Sequence, residues 1–427
     1  MSNSHKYNLH TYPNGLRLIT VPMQSTETVT VLVMVSTGSR YETREINGIS
    51  HFLEHLMFKG TAKRPGALDI STELDAIGAE YNAFTSKEYT GYYIKCAAAK
   101  LNVALDVISD IFQNSKFDAD EIDRERGAIK EEINMYFDTP ARHVSEIYEL
   151  LVYGNQPLGW NIAGPKENID RFKREQFVEY FDSHYAAHNT VIAIAGNIEI
   201  ENVKIKVKNY FQNIREHEAI QPPKIEEYQK EPGLKLFNKA TEQTHIELGF
   251  RAWSRFDPRF ETMGLIATIL GGGMSSRMFV EVRERRGLAY RIGTDISVYN
   301  ETGDLTTGAG ITNSKLNEAV KVILDQYKRL VNEEVSLKEL TKAKDYLKGK
   351  LFIGLEPSDA QAAFYGEQEL LEKRILTPEE RLAKIDEVTS EQIQKVAGEL
   401  FRSERLNLAV VGPLKDGDPL REILNGY

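Results

Sequence analysis

The amino-acid sequence contains an internal repeat of about two hundred residues, which limits the possible architecture more than any other feature. The apolar segment TVIAIAGNI (190–198) has a counterpart in LNLAVVGPL (406–414), and each contains a glycine where the apolar run ends. Likewise, VTVLVMVSTGSRYE (29–42) corresponds to THIELGFRAWSRFD (244–257). Any two αβ segments can be aligned loosely, but here several elements match in order. The pattern therefore predicts a duplicated domain rather than a solenoid of short repeats.

Each half of the chain places apolar strand patterns before long helical patterns. Residues 101–132 align in this way with residues 316–350. This order is typical of an α+β sandwich in which helices pack on a sheet. The charged segment REHEAIQPPKIEEYQKEPG (215–233) contains three prolines and shows no sustained periodicity, so we predict a linker there. The predicted organisation is an N-terminal domain over 1–215, a linker over 216–233 and a C-terminal homologous domain over 234–427.

The charge balance of the chain limits its partners. It has 53 basic and 63 acidic side chains, a formal net charge of −10. Nucleic acids and anionic membranes attract basic surfaces, so we expect neither as a main partner. The first twenty residues lack the pattern of a signal or transit peptide, and no apolar run is long enough to span a bilayer. A single cysteine, Cys96, excludes an internal disulfide, and we expect a cytoplasmic protein.

The segment GISHFLEHLMFKG (48–60) predicts a helix with two different faces. Asn47 and Ser50 stand where an N-cap is expected, and Gly60 stands where a helix would end. The apolar residues of the segment follow helical spacing and form one stripe, consisting of Ile49, Phe52, Leu53, Leu56 and Met57. Three polar residues lie on the opposite side, namely His51, Glu54 and His55.

Two histidines at positions i and i+4 can bind the same ion, which makes His51 and His55 candidate zinc ligands. Zinc then needs a third protein ligand, often a carboxylate. Glu54 is better placed to accept a proton from the attacking water. The order His-x-x-Glu-His is the reverse of the zincin motif and matches the inverzincin signature. A structural helix with a solvated polar face stays the alternative on this motif alone.

The helical segment 118–136 offers the third ligand. Glu125 and Glu132 are seven residues apart and differ by only about 20° around a helix axis. Both lie beside an apolar stripe, whereas Glu131 points roughly 120° away and is predicted to be solvated. We therefore predict Glu132 as the ligand and Glu125 as a catalytic-site residue that orients a ligand or holds a proton. By itself this segment could also be an ordinary acidic surface.

The second half of the chain provides an internal comparison. In the alignment of the halves, Ala343 stands opposite Glu125 and Lys350 stands opposite Glu132. The glycine-rich segment LGGGMSSR (270–277) carries no histidine and lacks the ending of a phosphate-binding loop, so we interpret it as a turn that leads into a helix. Only the first half is expected to bind metal.

These motifs and their spacing resemble the pitrilysin/insulinase family of zinc metallopeptidases, in its bacterial and mitochondrial processing-peptidase branch. The resemblance rests on HFLEH, NAFTS, ERGAIKEE, PLGWNIAG, GGGMSSRMF and RERRGLAY, which follow the family order over almost the whole chain. It implies two homologous αβ domains in each chain, one Zn²⁺ per chain, and two chains that close into a chamber where peptides are hydrolysed.

The resemblance also implies roles for residues outside the metal motif. The segment YNAFTSKEYTGYY (81–93) resembles the edge strand onto which the peptide adds, with Asn82, Ala83 and Phe84 lining the cleft. Arg283 and Tyr290 resemble an arginine–tyrosine pair that reaches the active site from the second domain. From their residues alone, these segments could equally be an ordinary amphipathic strand and a basic surface.

The sequence thus leads to a specific functional hypothesis. We predict a zinc endopeptidase that cleaves unfolded peptides, with His51, His55 and Glu132 as ligands and Glu54 as base. We expect a homodimer, while a heterodimer with a homologous subunit stays possible. The alternatives are a non-catalytic scaffold subunit of a processing-peptidase-like complex and a metal-dependent hydrolase of another substrate, such as an amidase.

Overall fold

The computed structural model describes residues 6–414 and 417–427. The first five residues of the amino-terminal segment discussed above lie outside these ranges. The strands are β1 Asn8–Thr11, β2 Arg17–Pro22, β3 Thr28–Val35, β4 Glu80–Thr85, β5 Thr90–Ala97, β6 Thr190–Gly196, β7 Gly233–Asn238, β8 Gln243–Ala252, β9 Ala289–Val298, β10 Gly303–Thr312 and β11 Leu406–Gly412. The helices are α1 Ile49–Leu56, α2 Ala67–Asp75, α3 Leu101–Asn114, α4 Ala119–Asp138, α5 Pro140–Tyr153, α6 Lys166–Arg171, α7 Arg174–His184, α8 Ile200–Tyr210, α9 Phe260–Gly271, α10 Leu316–Asn332, α11 Leu337–Gly354, α12 Ser358–Glu367, α13 Pro378–Glu387, α14 Ser390–Leu400 and α15 Asp418–Asn425.

The strands form two sheets with the same connectivity. The first has the order β1-β2-β6-β3-β5-β4 and the second the order β7-β11-β8-β10-β9. In each sheet one pair is parallel, β2 with β6 and β7 with β11, and all other pairs are antiparallel. The second sheet therefore repeats the first without β1. This correspondence confirms the predicted fold of two homologous αβ domains.

The first sheet is covered on both faces, which explains why β3 is apolar at every position from Val31 to Val35. Its odd-numbered valines, from Val29 to Val35, join a core formed with α1, α3, α7 and α8. Leu32 and Met34 point to the other face, where they pack with Ala362 and Tyr365 of α12. The strand therefore has no solvent-facing side on which polar residues would be favoured.

The second sheet packs its apolar face against α9, α10, α14 and α15, with Leu248 and Phe250 of β8 at the centre. Its other face carries Ala409 and Val411 of β11, which pack with apolar residues of α5. Successive side chains of β11 therefore also alternate between two buried faces of the sheet.

Two compact units result, and neither is a continuous stretch of chain. The first contains the residues up to Ile133 together with Asn161–Pro223 and Phe352–Thr377, and the second contains Asn134–Trp160, Lys224–Leu351 and Pro378–Tyr427. Helix α5 thus belongs to the unit of the second sheet, and α12 belongs to that of the first. The sequence pattern predicts contiguous halves and gives no indication of this exchange. The domain boundaries at 215 and 233 stay a prediction.

We also compared the helices of the described ranges with what a membrane-spanning helix needs. None of them combines the length and the apolar character that crossing a bilayer requires.

Candidate metal centre

Helix α1 is held in place by the apolar stripe that its sequence predicts. Each of the five residues of that stripe is at most 1% exposed. Phe52 makes an edge-on contact with Phe177 of α7, with ring centroids 4.8 Å apart. The helix ends at Leu56, four residues before the predicted end at Gly60, because the chain continues in a turn. Burial of one face leaves the opposite polar face to form the site.

The amino-terminal end of α1 differs from the prediction. Neither Asn47 nor Ser50 caps the helix; Gly48 precedes it with a positive φ of 103°. A Cβ at Gly48 would lie only 2.6 Å from the carbonyl oxygen of Ala163, so a larger residue would not fit. The free N–H groups are satisfied instead by the buried carboxylate of Glu42, which accepts hydrogen bonds from Gly48 N at 2.9 Å and Ser50 N at 2.8 Å.

The structure brings together the three residues predicted as zinc ligands. Nε2 of His51 lies 3.5 Å from Oε2 of Glu132, and Nε2 of His55 lies 3.6 Å from the same oxygen. Their potential ligand atoms all lie within 4.8 Å of one another. Within residues 6–414 and 417–427, they form the one group of three or more such side chains with this geometry. Glu131 is exposed, as the helical phase predicts.

These distances fit a tetrahedral zinc site. Two atoms bound about 2.0–2.1 Å from a tetrahedral ion are about 3.3–3.4 Å apart. The separations between the histidine nitrogens and the Glu132 oxygen are close to that value. Two imidazoles and one carboxylate are also a donor set that zinc binds in hydrolases, with a fourth position left for water. The residues present therefore fit the ion, while their role as ligands stays a prediction.

A chain of charged groups orients His55. Its Nδ1 lies 3.1 Å from Oε2 of Glu125, and Oε1 of Glu125 lies 2.6 Å from Nζ of Lys59. A carboxylate partner on Nδ1 leaves Nε2 as the atom that faces Glu132. Burial lowers the pKa of His55, but the hydrogen bonds to Glu125 and Glu132 outweigh burial and raise the pKa to about 9. The site thus attracts positive charge.

The same electrostatics act on the two glutamates. The hydrogen bonds from His51 and His55 lower the pKa of Glu132 below its ordinary value. Burial raises the pKa of Glu125, but hydrogen bonds from His55 and Lys59 outweigh it and lower the pKa. Both carboxylates are therefore anionic at neutral pH, the form in which they can bind or orient a cation.

Glu54 lies on the polar face of α1 between the two histidines and is partly exposed. Its Oε2 accepts a hydrogen bond from Oγ1 of Thr85, at 2.6 Å. Thr85 is the last residue of β4, so this bond connects the base candidate to the sheet.

Strand β4 is the edge of the first sheet and contains Asn82, Ala83 and Phe84. The segment 81–93 is not one edge strand as predicted. It forms a hairpin in which β4 is the edge and β5 lies inside the sheet, because residues 86–89 form a tight turn. The side chain of Asn82 is exposed and accepts a hydrogen bond from the N–H of Ala83.

A largely apolar cavity of about 480 Å³ opens beside β4. It is lined by Phe58, Lys59, Ala67, Leu68, Ile70, Ser71, Tyr81 and Asn82. Lys59 also contacts Glu125 of the charged chain, so the cavity adjoins the candidate metal centre.

Arg283 and Tyr290 belong to the second compact unit. Within that unit the Arg283 guanidinium lies 5.1 Å from the centre of the Tyr290 ring, and Tyr290 is 76% exposed. The two residues therefore contact each other. Their participation in the site stays a prediction.

The charged and polar groups that the sequence did not indicate at the site or at the start of α1 include Glu42, Lys59 and Thr85. Lys59 could have been found, because it stands four residues after His55 and thus on the same side of a helical segment. Glu42 and Thr85 reach α1 from other elements, and no spacing along the chain indicates these contacts.

Comparison with known proteins shows the family of the chain. Residues 17–166 match the family model described as insulinase (peptidase family M16), and residues 171–347 match the model described as the peptidase M16 inactive domain. An uncharacterised zinc protease of Streptomyces coelicolor is 35% identical over 95% of this chain and 89% of its own length. One of Bacillus subtilis is also 35% identical, over 95% of this chain and 98% of its own length.

Solved structures show the same fold. A protease from Helicobacter pylori superposes with a TM-score of 0.90 at 22% identity, over 96% of this chain and all of that one. A structure from Pseudomonas fluorescens, described as a peptidase M16 inactive domain, gives a TM-score of 0.88 at 19% identity, over 96% of this chain and 98% of that one.

The fold and the family matches define a protein of the metallopeptidase class. The chain belongs to the insulinase family, peptidase family M16.

Proposed function

We propose that this protein is a zinc-dependent endopeptidase in which His51, His55 and Glu132 hold the ion. The observation that carries the proposal is the convergence of two imidazole nitrogens on one Glu132 oxygen, at 3.5 and 3.6 Å. When bound there, zinc would act as a Lewis acid on the peptide carbonyl and would make water a stronger acid.

Glu54 performs the proton transfers. Its carboxylate accepts the proton of the attacking water and later donates it to the leaving amine. Glu125 holds His55 in one orientation through Nδ1, and Lys59 holds Glu125. Each of these residues lies on α1, on α4 or in the turn after α1, so the catalytic groups share a rigid support.

The substrate binds as an extended segment along β4, whose outer edge has no neighbouring strand among the described residues. Asn82, Ala83 and Phe84 flank the peptide, and the cavity beside Tyr81 accepts an apolar side chain. Because such binding needs an extended backbone, unfolded peptides are better substrates than folded proteins. Arg283 and Tyr290 act on the peptide or on the developing oxyanion from the second unit.

Two copies of the chain form a dimer around the substrate, with one zinc ion in each, in the cytoplasm. A heterodimer with a homologous subunit is the second form considered.

The test is cleavage of quenched unfolded peptides by the purified protein. Activity should disappear with a chelator and return with zinc. If a broad peptide library is not cleaved by protein with one zinc ion per chain, the scaffold function is favoured instead. Cleavage of small amides without cleavage of peptides would favour an amidase.

A further inference from the structure

The hydroxyl of Thr85 makes a short hydrogen bond to Glu54. Oγ1 donates to Oε2 at 2.6 Å, a length typical of a bond to an ionised carboxylate. A threonine hydroxyl has a single proton to donate. Oε2 is therefore the oxygen that is held, and the bond fixes the direction in which the remaining lone pairs of the carboxylate point.

The backbone fixes the position of Thr85. The turn after it is closed by a hydrogen bond from Ser86 N to Tyr89 O at 2.8 Å. The carbonyl oxygens of Ser86 and Lys87 also accept hydrogen bonds, from Ser39 N at 3.2 Å and Arg40 N at 2.9 Å respectively. Because these bonds tie the hairpin turn to the segment after β3, the Thr85 hydroxyl is held by the sheet rather than by Glu54.

The alternation of side chains along β4 shows which way Thr85 points. Tyr81 and Ala83 pack with the core of the first unit, which includes α1, and Thr85 has the same parity. The side chain of Thr85 thus faces α1, while the outer backbone edge of β4 is directed away from β5. The strand that would receive the peptide also holds the base.

We propose that Thr85 is a positioning residue that fixes the orientation of the Glu54 carboxylate, so that strand β4 sets both the path of the peptide and the geometry of the proton acceptor. This inference rests on the proposed peptidase function. Thr85 itself need not touch the substrate, so its loss should lower kcat more than it raises KM.

The test compares three substitutions in the first sheet. Thr85→Val removes the hydroxyl and keeps the shape, and Thr85→Ser keeps the hydroxyl. Thr20→Val is the matched control, because the buried hydroxyl of Thr20 in β2 has no hydrogen-bond partner among the described residues. If the hydrogen bond to the charged Glu54 carboxylate stabilises the transition state, its loss corresponds to a fall in kcat of about ten- to a hundred-fold.

We expect kcat for a quenched peptide to fall by about that factor in T85V, with KM within about twofold and zinc content unchanged. T85S should stay within about threefold of the native protein, and T20V should match it. Equal losses in T85V and T85S, an undiminished kcat in T85V, or loss of zinc from T85V would each overturn the proposal. If T85V does not fold, Thr85→Ala is measured against the same criteria.

A crystal structure separates this inference from the proposed function. In T85V the Glu54 carboxylate should rotate away from the position it has in the native protein and in T85S. An unchanged Glu54 conformation would overturn the positioning role, whether or not peptides are cleaved. A native protein that binds zinc but cleaves no peptide would instead overturn the proposed function alone.

Discussion

Glu125 and Glu132 contact opposite nitrogens of the same imidazole: Oε2 of Glu125 lies 3.1 Å from Nδ1 of His55, and Oε2 of Glu132 lies 3.6 Å from its Nε2. Because the two glutamates are seven residues apart on α4, one helix face presents both carboxylates. One of them can share a metal ion with His55 and the other can hold the ring. Substitutions can separate these two roles.

The first prediction concerns the base. Glu54→Gln keeps the shape of the side chain but cannot accept a proton, so turnover should fall by about a hundred- to ten-thousand-fold. Zinc content should stay near that of the native protein, since Glu54 is not needed as a ligand. Peptide cleavage and bound-metal analysis on the same sample measure both effects. If E54Q loses its zinc, Glu54 is a ligand and the roles assigned here are wrong.

The second prediction concerns the carboxylate ligand. Glu132→Gln should strongly weaken zinc binding, whereas Glu131→Gln, which changes an exposed neighbour on the same helix, should leave it unchanged. Glu125→Gln should have an intermediate effect and lower the zinc affinity about ten- to a hundred-fold, because Glu125 orients His55 without binding the ion. Competition with a chromogenic chelator ranks the three variants. A stronger effect of E131Q than of E132Q would contradict the helical phase.

The third prediction concerns substrate choice. Ser71 lines the apolar cavity beside β4, and Ser71→Phe should fill part of it. The value of kcat/KM should fall about tenfold or more for peptides with a bulky apolar side chain, and less for peptides with small side chains. Thr72→Phe is the control, because Thr72 is exposed on the same helix and does not line the cavity. Equal losses for both peptide classes would argue against a side-chain pocket.

The fourth prediction concerns pH and the second unit. Burial raises the pKa of Asp304 to about 7 and that of Glu247 to about 7; Asp304 accepts a hydrogen bond from Tyr153, and Glu247 accepts one from Ser145. Above its ordinary pKa of about 4, each group releases its proton in the unfolded chain but retains it in the folded one. In the folded state these two groups therefore bind more protons than in the unfolded chain, and their contribution to stability should fall as pH rises from about 4 to about 7.

Thermal unfolding of the metal-free protein across that range measures this effect. Asp304→Asn should make the pH dependence shallower, because the amide has no proton to release. Glu242→Gln is the control, because Glu242 is exposed and directly precedes β8, the strand that contains Glu247. An unchanged pH profile in D304N would mean that Asp304 does not carry the effect.

The fifth prediction concerns the exchanged helices. A fragment of residues 1–223 lacks α12, so Leu32, Met34 and their neighbours would be exposed. We expect this fragment to aggregate alone and to copurify in folded form with residues 224–427 when the two are expressed together. Circular dichroism and size-exclusion chromatography distinguish these states. A stable monomer of residues 1–223 would contradict the dependence on α12.

The sequence predicts the local parts of this molecule better than the parts that depend on contacts between distant segments. Helical phase is a local property, so it distinguishes Glu132 from Glu131, and the apolar stripe of α1 is confirmed for the same reason. The contact between Thr85 and Glu54 depends on how a hairpin lies against a helix, and no periodicity encodes that distance. The capping of α1 by Glu42 and the exchange of α5 and α12 depend on tertiary packing in the same way.

The exchange of helices also bears on how a duplicated chain could arise. A single ancestral half would have carried a sheet with one apolar face uncovered by its own helices. A second identical copy could supply the missing helix, and the two copies would complete each other's units. Fusion of the two genes would then preserve an interdependence that existed before the fusion. One copy could afterwards lose the groups of the metal site, since Ala343 and Lys350 stand where the first half has Glu125 and Glu132, and the other copy would still need its partner.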